Sequence, residues 1–134
     1  MSLRTQSSIA NNTRVGRWGE DLALLVLELN GYSLVERNWR PPSGNLGSSP
    51  VGEIDLVMVD PDMDLVFIEV KTRSGSGYGH PLEAITREKG NRLRQLAYAW
   101  CSEHTGDYRS LRIDAVAVCG TAEDFTFEHV KAVL

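Results

Sequence analysis

Two short runs hold the residue types that phosphate chemistry uses: Glu53-Ile54-Asp55-Leu56-Val57 and Phe67-Ile68-Glu69-Val70-Lys71. Asp60-Pro61-Asp62-Met63-Asp64 between them is a turn signal, so the runs read as an antiparallel hairpin. Strand alternation puts Glu53, Asp55, Val57 and Val59 on one face of the first strand, with Leu65, Phe67, Glu69 and Lys71 beside them on the second. Ile54, Leu56, Met58, Val66, Ile68 and Val70 take the other face and supply core. With the turn symmetric about Asp62, Asp55 lies opposite Glu69 and Glu53 opposite Lys71. Opposed side chains have Cβ atoms about 4.5–5.5 Å apart, and like charges there destabilise the pair. A hard divalent cation such as Mg²⁺ neutralises such a pair and leaves coordination positions for water and phosphate. Lys71, one step beyond Glu69 on the same face, is placed to contact a scissile phosphate or to orient and deprotonate an attacking water. The competing reading is a solvent-facing sheet edge with a Glu53–Lys71 ion pair beside unrelated acids; it accounts for Glu53 and Lys71 but needs a register shifted by two residues to relieve the opposed Asp55 and Glu69.

The elements that would position this hairpin are legible around it. Val15, Trp18, Leu22, Leu25, Val26 and Leu29 recur at helical spacing from Arg14 to Asn30, and Gly31 supplies a stop. At about 100° per residue, Arg14, Arg17, Asp21 and Glu28 share a narrow polar wedge, while Glu20 falls on a second inward side with Gly16, Ala23, Leu24 and Leu27. Tyr32 to Trp39 reads as a strand, and the Pro-, Gly- and Ser-rich stretch from Pro41 to Val51 as a loop. After glycines at 75, 77 and 79, a helix is predicted from Pro81 to about His104, its apolar side formed by Leu82, Ile85, Leu93, Leu96, Ala97 and Trp100. Lys89 projects toward that apolar side, so either it points at the acids or the helix begins later. Leu111–Val118 and Phe125–Val130 complete the pattern as strands. The predicted fold is α/β, a mixed sheet flanked by helices in the order α-β-β-β-α-β-β.

The 134 residues, 42% of them hydrophobic, suit one core, and we read residues 1–13 as a flexible polar arm before a single domain at 14–134. No apolar stretch is long enough to span a bilayer, and the first residues are too polar for a signal peptide, so a cytoplasmic protein with no membrane partner is expected. Cys101 and Cys119 have no partner at metal-ligand spacing and read as free thiols. A net charge of −4 argues against non-specific coating of nucleic acid while allowing a local basic groove beside an acidic site.

Gly52-Glu53-Ile54-Asp55 followed by Phe67-Ile68-Glu69-Val70-Lys71-Thr72-Arg73 resembles the restriction-endonuclease-like, or PD-(D/E)XK, nuclease superfamily. More closely the chain is similar to the YraN-like bacterial family, related in fold to archaeal Holliday-junction resolvases. Gly19-Glu20, Gly31-Tyr32, Arg37-Asn38, Lys89, Arg92-Leu93 and Arg112-Ile113-Asp114 also match that family pattern, which runs from about Gly16 to Val130. The resemblance implies that Asp55 and Glu69 are metal-binding and catalytic acids, that Lys71 is the catalytic lysine, and that Glu20 is a further metal ligand. It implies Mg²⁺ or Mn²⁺ as cofactor, nucleic acid (DNA before RNA) as partner, and hydrolysis of phosphodiester bonds in structured or branched DNA; it also allows a homodimer. The loop from Pro41 to Val51 is longer than that pattern's short turn. Glu20 has the alternative of pairing with a core arginine, and Glu53 that of pairing with Lys71, which we favour over metal binding.

Arg87, Asn91, Arg94 and Tyr98 share the helix face opposite the apolar stripe; they suit either a phosphate track or an ordinary solvated face. Arg73 and Arg92 are the further phosphate candidates. The glycine run at 75–79 lacks the P-loop ending and reads as a substrate-side loop. His80, His104 and His129 show no metal spacing, and the three tryptophans read as packing residues. Besides the nuclease, two functions fit the composition: a non-catalytic nucleic-acid-binding module retaining the fold, and a protein-interaction module.

Overall fold

A computed structural model describes residues 2–42, 52–74, 83 and 85–134, with side chains from residue 14 onward. Its elements are α1 (Ser2–Leu29), β1 (Ser33–Trp39), β2 (Ile54–Val59), β3 (Leu65–Arg73), α2 (Arg87–Glu103), β4 (Leu111–Gly120) and β5 (Phe125–Val130), the order read from the sequence. The five strands form one mixed sheet in chain order, antiparallel at every pair except β3–β4. A parallel neighbour needs a crossover connection, and α2 provides it.

The helices lie on opposite faces, so both faces of the hairpin are buried. On one, Ala23 and Leu27 of α1 pack against Leu56, Met58, Val66, Ile68 and Val70. On the other, Leu93, Leu96, Ala97 and Trp100 of α2 cover Val57, Leu65 and Phe67. The face carrying the acids is therefore no solvent-facing edge. Ile54 departs from the expected alternation, joining Trp39 in the α2-side cluster instead of Leu56 and Met58 on the α1 side.

Helix boundaries also differ from the periodicity. α1 begins at Ser2, because residues 2–13 contain no glycine or proline to stop a helix that starts before Arg14. Leu25 and Leu29, expected on its apolar side, are 54% and 78% exposed, since the sheet spans only the arc around Gly19, Ala23 and Leu27. α2 begins at Arg87 in place of Pro81, where the Thr86 side chain accepts from the Lys89 amide as an N-cap. The loop glycines at 75–79, His80 and Pro81, and most of the Pro41–Val51 loop, lie outside the described residues.

At the turn end of the hairpin, Arg112 of β4 is the centre of a polar cluster. Its guanidinium donates to Asp60, Asp64, Asp114 and the Tyr32 hydroxyl. Asp114, fully buried, also accepts from the Ala132 amide and lies 2.8 Å from His129 Nε2. Burial alone would raise the Asp114 carboxyl, but the hydrogen bonds from His129, Ala132 and Arg112 hold it below its ordinary range. The cluster ties the turn, β4 and the C-terminal segment together. No helix is long and apolar enough to cross a membrane among the described residues.

Candidate functional site

The hairpin register is the symmetric one: Val59 pairs with Leu65, Val57 with Phe67 and Leu56 with Ile68. One step further, the side chain of Asp55 takes over from the backbone, its Oδ2 accepting from the Val70 amide at 2.8 Å. That bond pins the carboxylate between the strands beside Glu69. β4 runs parallel on the far side of β3, with Ala115 beside Glu69 and Ala117 beside Lys71.

α1 closes the site from above. Its crossing over β3 is made at Gly19, where an added Cβ would lie 1.8 Å from Thr72 Oγ1 and 2.8 Å from Thr72 Cβ. Only a residue without a side chain lets the helix come so close, and the next residue is Glu20. Carboxylate oxygens of Glu20, Glu53 and Asp55 consequently lie within 4.8 Å of one another. Gly16, Glu20, Asp55, Glu69, Lys71 and Lys89 are among the residues lining a cavity of about 560 Å³ at this end of the sheet.

The electrostatics follow from packing acids in a half-dry cleft. Burial, then the charge of Glu69 and lesser contributions from Glu20 and Glu53, push the Asp55 carboxyl up to about 8 against the Val70 hydrogen bond. Burial also raises Glu69, against Lys89, Asp55 and Lys71. Either a proton or a cation must therefore accompany these acids near neutral pH. Three converging carboxylates with a fourth beside them are hard oxygen donors of the kind Mg²⁺ and Mn²⁺ take, so the residues fit a divalent ion.

Several placements differ from expectation. Glu53 does not pair with Lys71: Arg40 Nε reaches its Oε2 at 3.0 Å and Asn38 its Oε1 at 3.1 Å, because β1 flanks β2 on the side away from Lys71. Glu53 also stands closer to Asp55 and Glu20 than the strand pattern suggested, while Glu69 lies outside that group of three and faces Lys89 at 3.4 Å. Glu20 lies within the acid group and also 3.8 Å from Arg37. Arg73 lines the cavity. Arg87 and Arg92 are exposed on α2, and Arg94 lines a separate small pocket with Tyr98 and Leu134. Lys89, Asn38 and Arg40 were not assigned to the site from sequence. A charge on the apolar side of α2 was the signal for Lys89, and the match of Arg37-Asn38 to the family pattern that for Asn38; Arg40 gave none.

The family model for uncharacterised protein family UPF0102 matches residues 19–118. A UPF0102 protein of Beutenbergia cavernae is 48% identical over 120 residues, covering 89% of this chain and 94% of its own length. A second, from Clavibacter michiganensis, is 51% identical over 104 residues, 78% of this chain and 80% of its own. A third, from Rhodococcus opacus, is 41% identical over 124 residues, 92% of this chain and 98% of its own. No solved structure matches the chain.

Proposed function

The chain belongs to uncharacterised protein family UPF0102, and from that premise we propose that it is a cytoplasmic metal-dependent endonuclease of the PD-(D/E)XK type, hydrolysing phosphodiester bonds in structured or branched DNA. The observation that carries the reading is the meeting of Asp55, Glu20 and Glu53 within 4.8 Å, with Glu69 and Lys71 in the same cleft. Asp55 and Glu69 come from adjacent strands and Glu20 from a helix, so the fold brings together acids distant in sequence.

Asp55, Glu69 and Glu20 would hold Mg²⁺ or Mn²⁺, and the position of Glu53 adds it to that set. Such an ion supplies charge stabilisation at a phosphoryl oxygen and water made acidic enough to attack. The chain's own residues do the rest. Lys71 donates to the scissile phosphate and offsets the charge that builds on its oxygens. Lys89 holds Glu69 in the cleft and adds a second positive charge beside it. Arg73, on the cavity wall, meets a neighbouring phosphate, and exposed Arg87 and Arg92 extend that contact along α2. Arg94, in its separate pocket, contacts only a substrate that continues around the helix.

Calorimetric titration with Mn²⁺ tests the reading, followed by a screen of branched, flapped and single-stranded DNA. Binding by wild type that is lost in Asp55→Ala and Glu69→Ala supports it. Wild type that binds DNA in a salt-sensitive way without taking up metal makes the protein a binding module, its acids neutralised by Lys89 and Arg40.

A further inference from the structure

β1 carries two backbone irregularities within a few residues, and both end at the acid cluster. The first is a bulge. Ser33 and Leu34 pair with Val59 and Met58, but the register shifts between Leu34 and Glu36, after which Arg37 pairs with Leu56 and Trp39 with Ile54. Asn38 thereby falls opposite Asp55. Without the extra residue the position opposite Asp55 would be taken by Arg37, and a guanidinium would stand there. The second irregularity is Asn38 itself, at φ 52° in the left-handed region that costs most residues energy and that asparagine tolerates best among non-glycine residues.

The side chain so placed has one contact geometry that suits an amide. Asn38 Nδ2 donates to Glu20 Oε1 at 2.8 Å and to Glu53 Oε1 at 3.1 Å. An amide nitrogen has two hydrogens, and each finds one carboxylate. The opposite orientation would set a carbonyl oxygen against two anions. Bulges and left-handed non-glycine residues recur beside functional sites, where they re-aim a side chain.

We infer that Asn38 is a positioning residue for the divalent-cation site: its amide holds the carboxylates of Glu20 and Glu53, from different elements, at the spacing at which both reach the ion bound to Asp55. Glu20 and Glu53 carry negative charge and repel each other; the shared donor offsets that repulsion before the ion arrives. The inference rests on the metal reading above and assigns β1 a part in it. Asn38 touches neither substrate nor ion and acts through the two glutamates.

Asn38→Gly separates the amide from the backbone, because glycine accepts φ 52° without strain. Mn²⁺ titration calorimetry and thermal melting of the metal-free protein are read together, for wild type, Asn38→Gly, Glu20→Gln/Glu53→Gln, and the triple variant. The expected result is a melting temperature no lower than wild type with Mn²⁺ affinity weakened about 10-fold or more, the scale of losing a residue that orients metal ligands. In the Glu20→Gln/Glu53→Gln background, adding Asn38→Gly changes affinity no further. Unchanged Mn²⁺ affinity in Asn38→Gly overturns the inference, as does an equal loss with and without the two glutamates. Wild type that takes up no Mn²⁺ overturns the metal reading itself, and this role with it.

Discussion

Asp55 is held in a state that pure water would not give it. Its carboxyl is raised from 3.8 to about 8 by burial first and neighbouring acids second. A group raised in this way stabilises the fold fully below its unfolded value, and that contribution is lost as pH climbs through the folded value. The metal-free protein should therefore lose stability between about pH 4 and pH 8, and Mn²⁺ should restore it at the upper end; melting curves with and without Mn²⁺ across that range check this. Protons and the ion compete for the same oxygens, so Mn²⁺ affinity should rise about tenfold per pH unit below pH 8 and level off above it. Affinity independent of pH would place the ion elsewhere. The opposed acids behind this behaviour were readable from residue types alone, since a two-residue period and a turn centred on Asp62 fix which side chains meet. The partners of Glu53 were not, because they depend on β1, whose bulge and left-handed residue leave no mark in any period.

At the scale of elements, the close crossing of α1 over β3 decides whether Glu20 reaches the hairpin. Gly19→Ala sets a methyl against Thr72, whose Cβ cannot rotate away, so the helix must lift. The expected cost is about 1–3 kcal/mol of stability, as for other overpacked contacts, together with weaker Mn²⁺ binding. Adding Thr72→Gly to Gly19→Ala removes the obstructing atoms and should recover part of both losses, measured by urea denaturation and calorimetry. No loss of Mn²⁺ binding in Gly19→Ala would mean that Glu20 does not depend on this crossing. The inward side of α1 that holds Glu20 was visible by angle counting, whereas the exposure of Leu25 and Leu29 was not, because periodicity shows an apolar arc without showing how much of it a sheet can cover. The late start of α2 illustrates the same limit. Pro81 is a permissive start, but the Thr86 cap with its bond to the Lys89 amide is the one the backbone uses, and it turns Lys89 toward Glu69.

Across the whole molecule, charge is sorted to two places along the sheet. At the turn end, Arg112 donates to three buried aspartates; at the other end, four acids share the cleft with Lys71 and Lys89. The first arrangement is closed by hydrogen bonds and serves the fold. Arg112→Ala leaves Asp60 and Asp114 without a guanidinium and Asp64 with Arg109 alone, and should cost about 3–5 kcal/mol in urea denaturation while leaving the residues of the cleft in place. The second arrangement is open to solvent and is the site of the proposed chemistry. With a net charge of −4, the proposed DNA contact would depend on the local cations around that cleft and hence on salt. The most direct test is the single-turnover cleavage rate of a labelled four-way DNA junction in Mg²⁺, for wild type and Lys71→Ala purified side by side. Wild type should cleave in a metal-dependent way, with a rate about 100-fold lower or more in the variant. Equal rates in the two proteins, or no cleavage by wild type with Mg²⁺ bound, would contradict the proposed function.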